Sequence, residues 1–310
     1  MRVAFAGSAE FSLPSLRALA NSAHQVELVI TAPDRLGSRG RPAPRPVREL
    51  ASELGLPVIQ PARLARDDLV AAPAGKAQVL AVCAYGQLVP RSVLDLFSKG
   101  AVGVHPSLLP RHRGASPIQA AILAGDTETG VTIYQMDERL DAGPVLAQQR
   151  LPLLPSLTAT ELSEELAARG GSLLVSVLDE LEAGASEPSP QADADATYSA
   201  KVGRRDGELD WSLPALEIER RLRALHPWPG VSLPVGGERV KLIAGRAVPP
   251  PDGSAVLEPG SILEGSADFV LVGTSAGSFQ VELVQPPGGR VMAPAAYLRG
   301  RRSSAGEAPQ

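Results

Sequence analysis

Ala101-Val102-Gly103-Val104-His105-Pro106 is a short apolar run that ends on a histidine and is stopped by a proline. Such a run predicts a buried strand, and Pro106 forces His105 into an extended conformation and turns the chain away from the sheet. The imidazole is therefore expected at the carboxyl edge of a sheet. Outward from this stretch, runs of the same kind recur at Val3 to Ala6, Val26 to Thr31, Pro57 to Gln60 and Ala77 to Ala84. Between them the spacing predicts helices, one opening near Pro14 and one over Val47 to Gly55. This alternation predicts an α/β fold with a doubly wound, mostly parallel sheet, whose ligands bind beyond the carboxyl ends of its strands.

Downstream, Val131 to Met136 reads as a further strand, running into Asp137-Glu138-Arg139-Leu140-Asp141-Ala142-Gly143-Pro144. Thr158 and Glu161 form a capping-box pattern ahead of a long helix that carries Leu162, Leu166, Leu174 and Leu178, with Gly170-Gly171 as a candidate break. Residues 1–184 are read as the first domain. The stretch 185–205 reads as a linker, since Ala185 to Thr197 is short of bulky apolar residues and holds Pro188 and Pro190. Residues 206–302 carry one helix, from Leu213 to about Leu225, among strands at Val240 to Ile243, Phe269 to Val272 and Phe279 to Val284. Val235-Gly236-Gly237-Glu238 is a hairpin turn. The second domain is expected to be a smaller β-barrel, and the polar tail 303–310 to be disordered.

Composition narrows the functional classes. The 310 residues are 44% hydrophobic and 21% charged, with a net charge of -4, a balance that suits a soluble globular protein and gives nucleic acid no global attraction. The single cysteine, Cys83, excludes an intrachain disulfide and multi-cysteine metal cages and fits the reducing cytoplasm. Nowhere do eighteen apolar residues run uninterrupted, so no membrane role is expected. Gly7-Ser8-Ala9-Glu10-Phe11 lacks the further glycines of a dinucleotide fingerprint, and no GxxxxGK[ST] occurs. Gly273-Thr274-Ser275-Ala276-Gly277 matches a serine-hydrolase elbow in spelling, but a strand follows it where the elbow needs a helix. It reads as a hairpin turn. His24 and His226 read as structural and His112 as a solvated loop residue; Cys83, His105 and His112 lack metal-ligand spacing. Asp141 is open to two readings, a turn residue before Gly143 or a carboxylate that orients His105.

The ordered stretches Val104-His105-Pro106-Ser107-Leu108-Leu109-Pro110-Arg111-His112-Arg113-Gly114, Gly125-Asp126-Thr127-Glu128-Thr129-Gly130-Val131-Thr132 and Leu140-Asp141-Ala142-Gly143 closely resemble the folate-dependent formyltransferases. Phe5-Ala6-Gly7, the loop after Thr31, Asp210-Trp211-Ser212 and His226-Pro227-Trp228-Pro229 point within them to the members that act on methionyl-tRNA. The resemblance implies a Rossmann-like formyltransferase domain and an OB-like second domain that contacts tRNA. It implies transfer of the formyl group of 10-formyltetrahydrofolate to the α-amino group of methionine on initiator tRNA, without a metal, by a monomer. It also implies catalysis by His105 and Asp141, and folate binding by Ser107, Leu108, Leu109, Pro110, Tyr85 and Gly86. Arg35, Arg39 and Arg41, in a proline-rich basic loop that also holds Arg45 and Arg48, are the tRNA-binding candidates. An amino sugar or a purine precursor as acceptor, and a silent binder of folate or tRNA, remain alternatives.

One position departs from the family pattern. Asparagine, any residue, histidine is expected, and Gly103-Val104-His105 is present. The amide that polarises the formyl oxygen is missing, which predicts turnover lowered about a hundred- to a thousand-fold, and a gain of about a hundred-fold from Gly103→Asn.

Overall fold

The structure, a computed structural model, describes residues 1–34, 45–72, 76–248, 257–264 and 266–306; Arg35, Arg39 and Arg41 lie outside them. Two compact units are present, the first comprising Met1–Ile118, Thr127–Leu154 and Glu161–Ala200, the second Gln119–Asp126, Pro155–Thr160 and Lys201–Gln310.

The strands up to Ala200 are β1 (Arg2–Gly7), β2 (Gln25–Ile30), β3 (Val58–Ile59), β4 (Val79–Cys83), β5 (Ala101–His105), β6 (Arg113–Gly114), β7 (Glu128–Gln135), β8 (Val145–Pro152) and β9 (Tyr198–Ser199). The helices are α1 (Leu13–Ala20), α2 (Pro46–Glu53), α3 (Arg66–Ala71), α4 (Arg91–Leu94), α5 (Pro117–Ala124) and α6 (Ala159–Ala183). The main sheet has the order β3-β2-β1-β4-β5-β7-β8. Its strands are parallel through β5, and β7 and β8 are antiparallel. Alternation along each strand divides its side chains between two faces. Val3 and Phe5, with Val102 and Val104, pack under Leu16 and Leu19 of α1, Val47 and Leu50 of α2 and Leu174 and Leu178 of α6. Ala4, Ala6, Leu28 and Leu80 face Leu69 of α3 and Val93 of α4. The sheet is thus covered on both sides, as expected for a doubly wound fold.

The glycine pair does not break α6, which runs unbroken over 25 residues. A Cβ at Gly170 would come within 2.9 Å of Val104 Cγ1, and one at Gly171 within 2.8 Å of the Pro14 carbonyl. The two glycines let the helix lie close against β5 and α1, and that contact outweighs their low helix propensity. Pro46, read as part of an irregular loop, instead starts α2, where its fixed φ suits the first helical position.

In the second unit α7 (Ala215–Ala224) accompanies β10 (Val231–Val235), β11 (Glu238–Val248), β12 (Ile262–Glu264), β13 (Val270–Gly273), β14 (Ser278–Gln285) and α8 (Pro294–Gly306). The antiparallel order β10-β11-β14-β13-β12, with register shifts that bend β11 against β14, makes the curled half-barrel of an OB-like domain. Trp211 is buried in its core, tilted against Phe279 at 6.2 Å, and its Nε1 donates to the Pro234 carbonyl. Trp228 is exposed. Gly273 to Gly277 turns β13 into β14. Residues 303–306, read as tail, continue α8. Among the described residues no helix is long and apolar enough to cross a membrane.

Candidate active site

The end of β5 carries His105, 6% exposed, at the carboxyl edge of the sheet. The loop after β7 carries Asp141, whose φ of 52° lies in the left-handed region that aspartate tolerates better than most residues. The two side chains meet, with His105 Nδ1 3.7 Å from Asp141 Oδ2. On its other side the ring makes a 3.0 Å hydrogen bond from Nε2 to the His112 carbonyl. A carbonyl only accepts, so Nε2 carries the proton and Nδ1 presents a lone pair to the carboxylate. Burial pushes the imidazole below its ordinary value of 6.5, more strongly than Asp141 and the His112 carbonyl pull it up. The resting ring is therefore neutral at pH 7, whereas Asp141 alone would have suggested a protonated one.

Asp141 is held at both oxygens. The Gly114 amide donates to Oδ2 at 2.8 Å and the Tyr134 hydroxyl donates to Oδ1 at 2.7 Å. Gln191 Nε2 donates to the carbonyls of Asp141 and Gly143, which fixes the loop from behind. Gln191 lies in the stretch read as a linker. Up to Ala200 that stretch belongs to the first unit: Arg113 binds Gln191 and Asp193, and β9 pairs with β6 in parallel. Its polar side chains bond to the active-site loops, so a scarcity of bulky apolar residues did not mean an unpacked segment. His112, read as solvated, is buried, and its amide donates to Thr197 Oγ1 at 2.8 Å.

The loop of Ser107, Leu108, Leu109 and Pro110 is equally fixed. Thr132 Oγ1 donates to the Ser107 carbonyl and accepts from the Leu109 amide, and Gln148 Nε2 donates to the Leu109 carbonyl. Tyr85 and Gly86, with Ser8, Thr31, Gln60 and others, line a cavity of about 280 Å³. The Tyr85 hydroxyl is buried with no hydrogen-bond partner among the described residues. Arg45 and Arg48 pair with Asp34 at the same cavity. Cys83 is buried at the end of β4 and burial pushes its thiol up to about 12, so it stays protonated at neutral pH. Among the described residues no three His, Cys, Asp or Glu side chains gather as a metal site.

Gly103 is two residues before His105 on β5 and pairs across the sheet with Tyr134 of β7. The space above it is filled. A Cβ at position 103 would lie 2.4 Å from Tyr134 Cε1 and 2.9 Å from its Oη, where no real Cβ fits. The ring is 5% exposed and stands edge-on to His105, with centroids 6.5 Å apart and planes at 87°.

Residues 1–178 match the formyl transferase family and residues 201–302 match the formyl transferase C-terminal domain. The chain belongs to the formyl transferase family. Among the formyl transferases it is 43% identical to the methionyl-tRNA formyltransferase of Halorhodospira halophila, over 100% of this chain and 99% of that one. It is 40% identical to that of Heliobacterium modesticaldum over 99% of each. Of the solved structures, the N-formyltransferase from Helicobacter canadensis, in complex with folinic acid and dTDP-3-aminofucose, shares the fold. Its TM-score is 0.66 at 15% identity, over 90% of this chain and 98% of that one. HypX from Aquifex aeolicus in complex with tetrahydrofolic acid gives a TM-score of 0.61 at 20% identity, over 96% of this chain and 47% of that one.

Tyr134, Gln191, Thr132 and Gln148, which bond to Asp141 or to the loops around it, were not singled out by the sequence. Only Tyr134 left a trace, as a hydroxyl-bearing ring in an otherwise apolar strand; that it pairs directly with Gly103 depends on the β5–β7 register.

Proposed function

We propose that this chain transfers the formyl group of 10-formyltetrahydrofolate to the α-amino group of methionine on initiator tRNA, as a cytoplasmic monomer. The reading assigns the reaction to residues 1–184. It assigns tRNA contact to residues 206–302 and to the loop of Arg35, Arg39 and Arg41, whose charge suits phosphate. The observation that carries it is 40% to 43% identity over nearly the whole length of relatives that bear this activity in their name. The amino-sugar neighbours are 14% to 15% identical and support the fold alone.

The formyl donor is a substrate here, and the fixed Ser107 to Pro110 loop, with Tyr85 and Gly86, is the surface proposed to hold it. The unpartnered Tyr85 hydroxyl and the cavity it lines suit a flat ring edged with polar atoms. At the reaction centre, His105 Nδ1 and Asp141 both accept hydrogen bonds and face one another across 3.7 Å. Two acceptors so placed cradle an amine by its N–H groups. The amine lone pair attacks the formyl carbon, and the C=O pair moves onto oxygen. His105 Nδ1 takes the proton released by nitrogen, the resulting imidazolium is stabilised by Asp141, and the oxygen's pair then restores C=O as the carbon–N10 bond breaks and the same proton passes to N10. Asp141 thus supports the base, and a water-poor setting strengthens that support.

Because burial lowers the His105 pKa, the acid limb of kcat, read at saturating charged tRNA so that titration of the free α-amino group does not set it, should fall below pH 6.5, the ordinary histidine value. A limb of kcat at or above 6.5 would show that the base is not the buried ring. The function itself is tested by supplying 10-formyltetrahydrofolate with charged initiator tRNA and, separately, with an amino-sugar nucleotide. N-formylmethionine is the expected product; formylation of the sugar alone overturns the reading.

A further inference from the structure

We infer that the Tyr134 hydroxyl is the oxyanion donor of this site, occupying the place that an asparagine at position 103 would fill. The inference rests on the proposed formyl transfer and names the group that completes it.

The need for a donor follows from the resting state of the other two groups. His105 has committed its Nε2 proton to the His112 carbonyl and presents a lone pair, and Asp141 is an acceptor. A pair of acceptors can relieve an amine of its proton but cannot hold a formyl oxygen that is becoming negative. Gly103 offers no side chain. Directly over it, 2.9 Å from the position its Cβ would take, lies an O–H that also touches the catalytic carboxylate at 2.7 Å. Gly103 and Tyr134 are one device, in which the missing side chain on β5 makes room for the phenol that reaches across from β7. Burial and the neighbouring carboxylate hold the phenol well above its usual value of 10, so it stays a protonated donor across the working range.

At rest the hydroxyl donates to Asp141. When the amine's proton reaches His105, the imidazolium becomes a cationic donor to Asp141, and the carboxylate's hold on the phenol weakens as the formyl oxygen gains charge. Rotation about the C–O bond then turns the same O–H onto the oxyanion. Tyr134 keeps its proton throughout. The bonds made and broken are those of formyl transfer, nitrogen to carbon and carbon to N10.

Tyr134→Phe keeps the ring over Gly103 and removes only the hydroxyl. It is expected to lower kcat about a hundred- to a thousand-fold, with KM for both substrates and tetrahydrofolate affinity unchanged. The same change made in Asp141→Asn separates donation from positioning. A donor to the oxyanion still costs activity there, whereas a residue that acts only through Asp141 costs nothing more. Tyr134→Phe within threefold of the unaltered chain, or no further loss in the Asp141→Asn background, overturns the inference while leaving the proposed function standing. An unaltered chain that forms no N-formylmethionine overturns both.

Discussion

Asp141→Asn is expected to lower kcat for formyl transfer by roughly 10² to 10⁴-fold, the range for loss of a positioned acid–base group, and to leave folding nearly untouched. The fold is spared because asparagine is at home in the left-handed conformation that position 141 adopts, φ 52°, and fills the same volume. The chemistry is not spared. The carboxylate lies 3.7 Å from His105 Nδ1 and supplies the charge that lets this buried ring accept a proton at all, since desolvation opposes its charged form. A neutral amide supplies no such charge. Its Oδ1 can still accept from the Gly114 amide, while its NH2 group faces the Tyr134 hydroxyl, which must turn to accept where it now donates. Steady-state kinetics beside a thermal melt check this. Turnover within tenfold of the unaltered chain would remove Asp141 from the centre.

Gly103→Asn is expected to reduce activity at least a hundred-fold, the cost of a lost oxyanion donor, opposite to what the family pattern alone predicts. Read as a missing amide, position 103 calls for restoration. In the structure there is no room, because the new Cβ would fall 2.4 Å from one ring atom of Tyr134 and 2.6 Å from another. The ring is buried, so asparagine must displace it and pull the hydroxyl off Asp141. Overpacking of this kind costs about 1 to 3 kcal/mol of stability. Pairing the change with Tyr134→Ala empties the space, and the double variant is expected to regain both stability and turnover relative to Gly103→Asn. An active, stable single variant would mean that Tyr134 is not fixed over Gly103.

The first unit was largely legible in the sequence because a two-face-covered sheet writes its strands as continuous apolar runs. Ala101 to His105 fell on β5 residue for residue, and His105 reached the carboxyl edge as Pro106 implied. What stayed hidden depends on pairs distant in the chain. Nothing local to Gly103 says that Tyr134 lies opposite, because register between β5 and β7 is set by the packed sheet. Gln191 sits in a segment whose composition reads as linker, and its role lies in hydrogen bonds to loops about fifty residues earlier. His112 looked solvated among arginines, yet the fold buries it and uses its carbonyl to fix the His105 tautomer. Gly170 and Gly171 read as helix breakers because propensity is local, and the close approach that requires them is not.

The measurement that bears most directly on this centre is the turnover number of the unaltered chain with 10-formyltetrahydrofolate and charged initiator tRNA. A site completed by Tyr134 predicts N-formylmethionine at an ordinary enzymic rate, about 1 to 10³ per second, without any change at Gly103. A rate no faster than that of Asp141→Asn would contradict it.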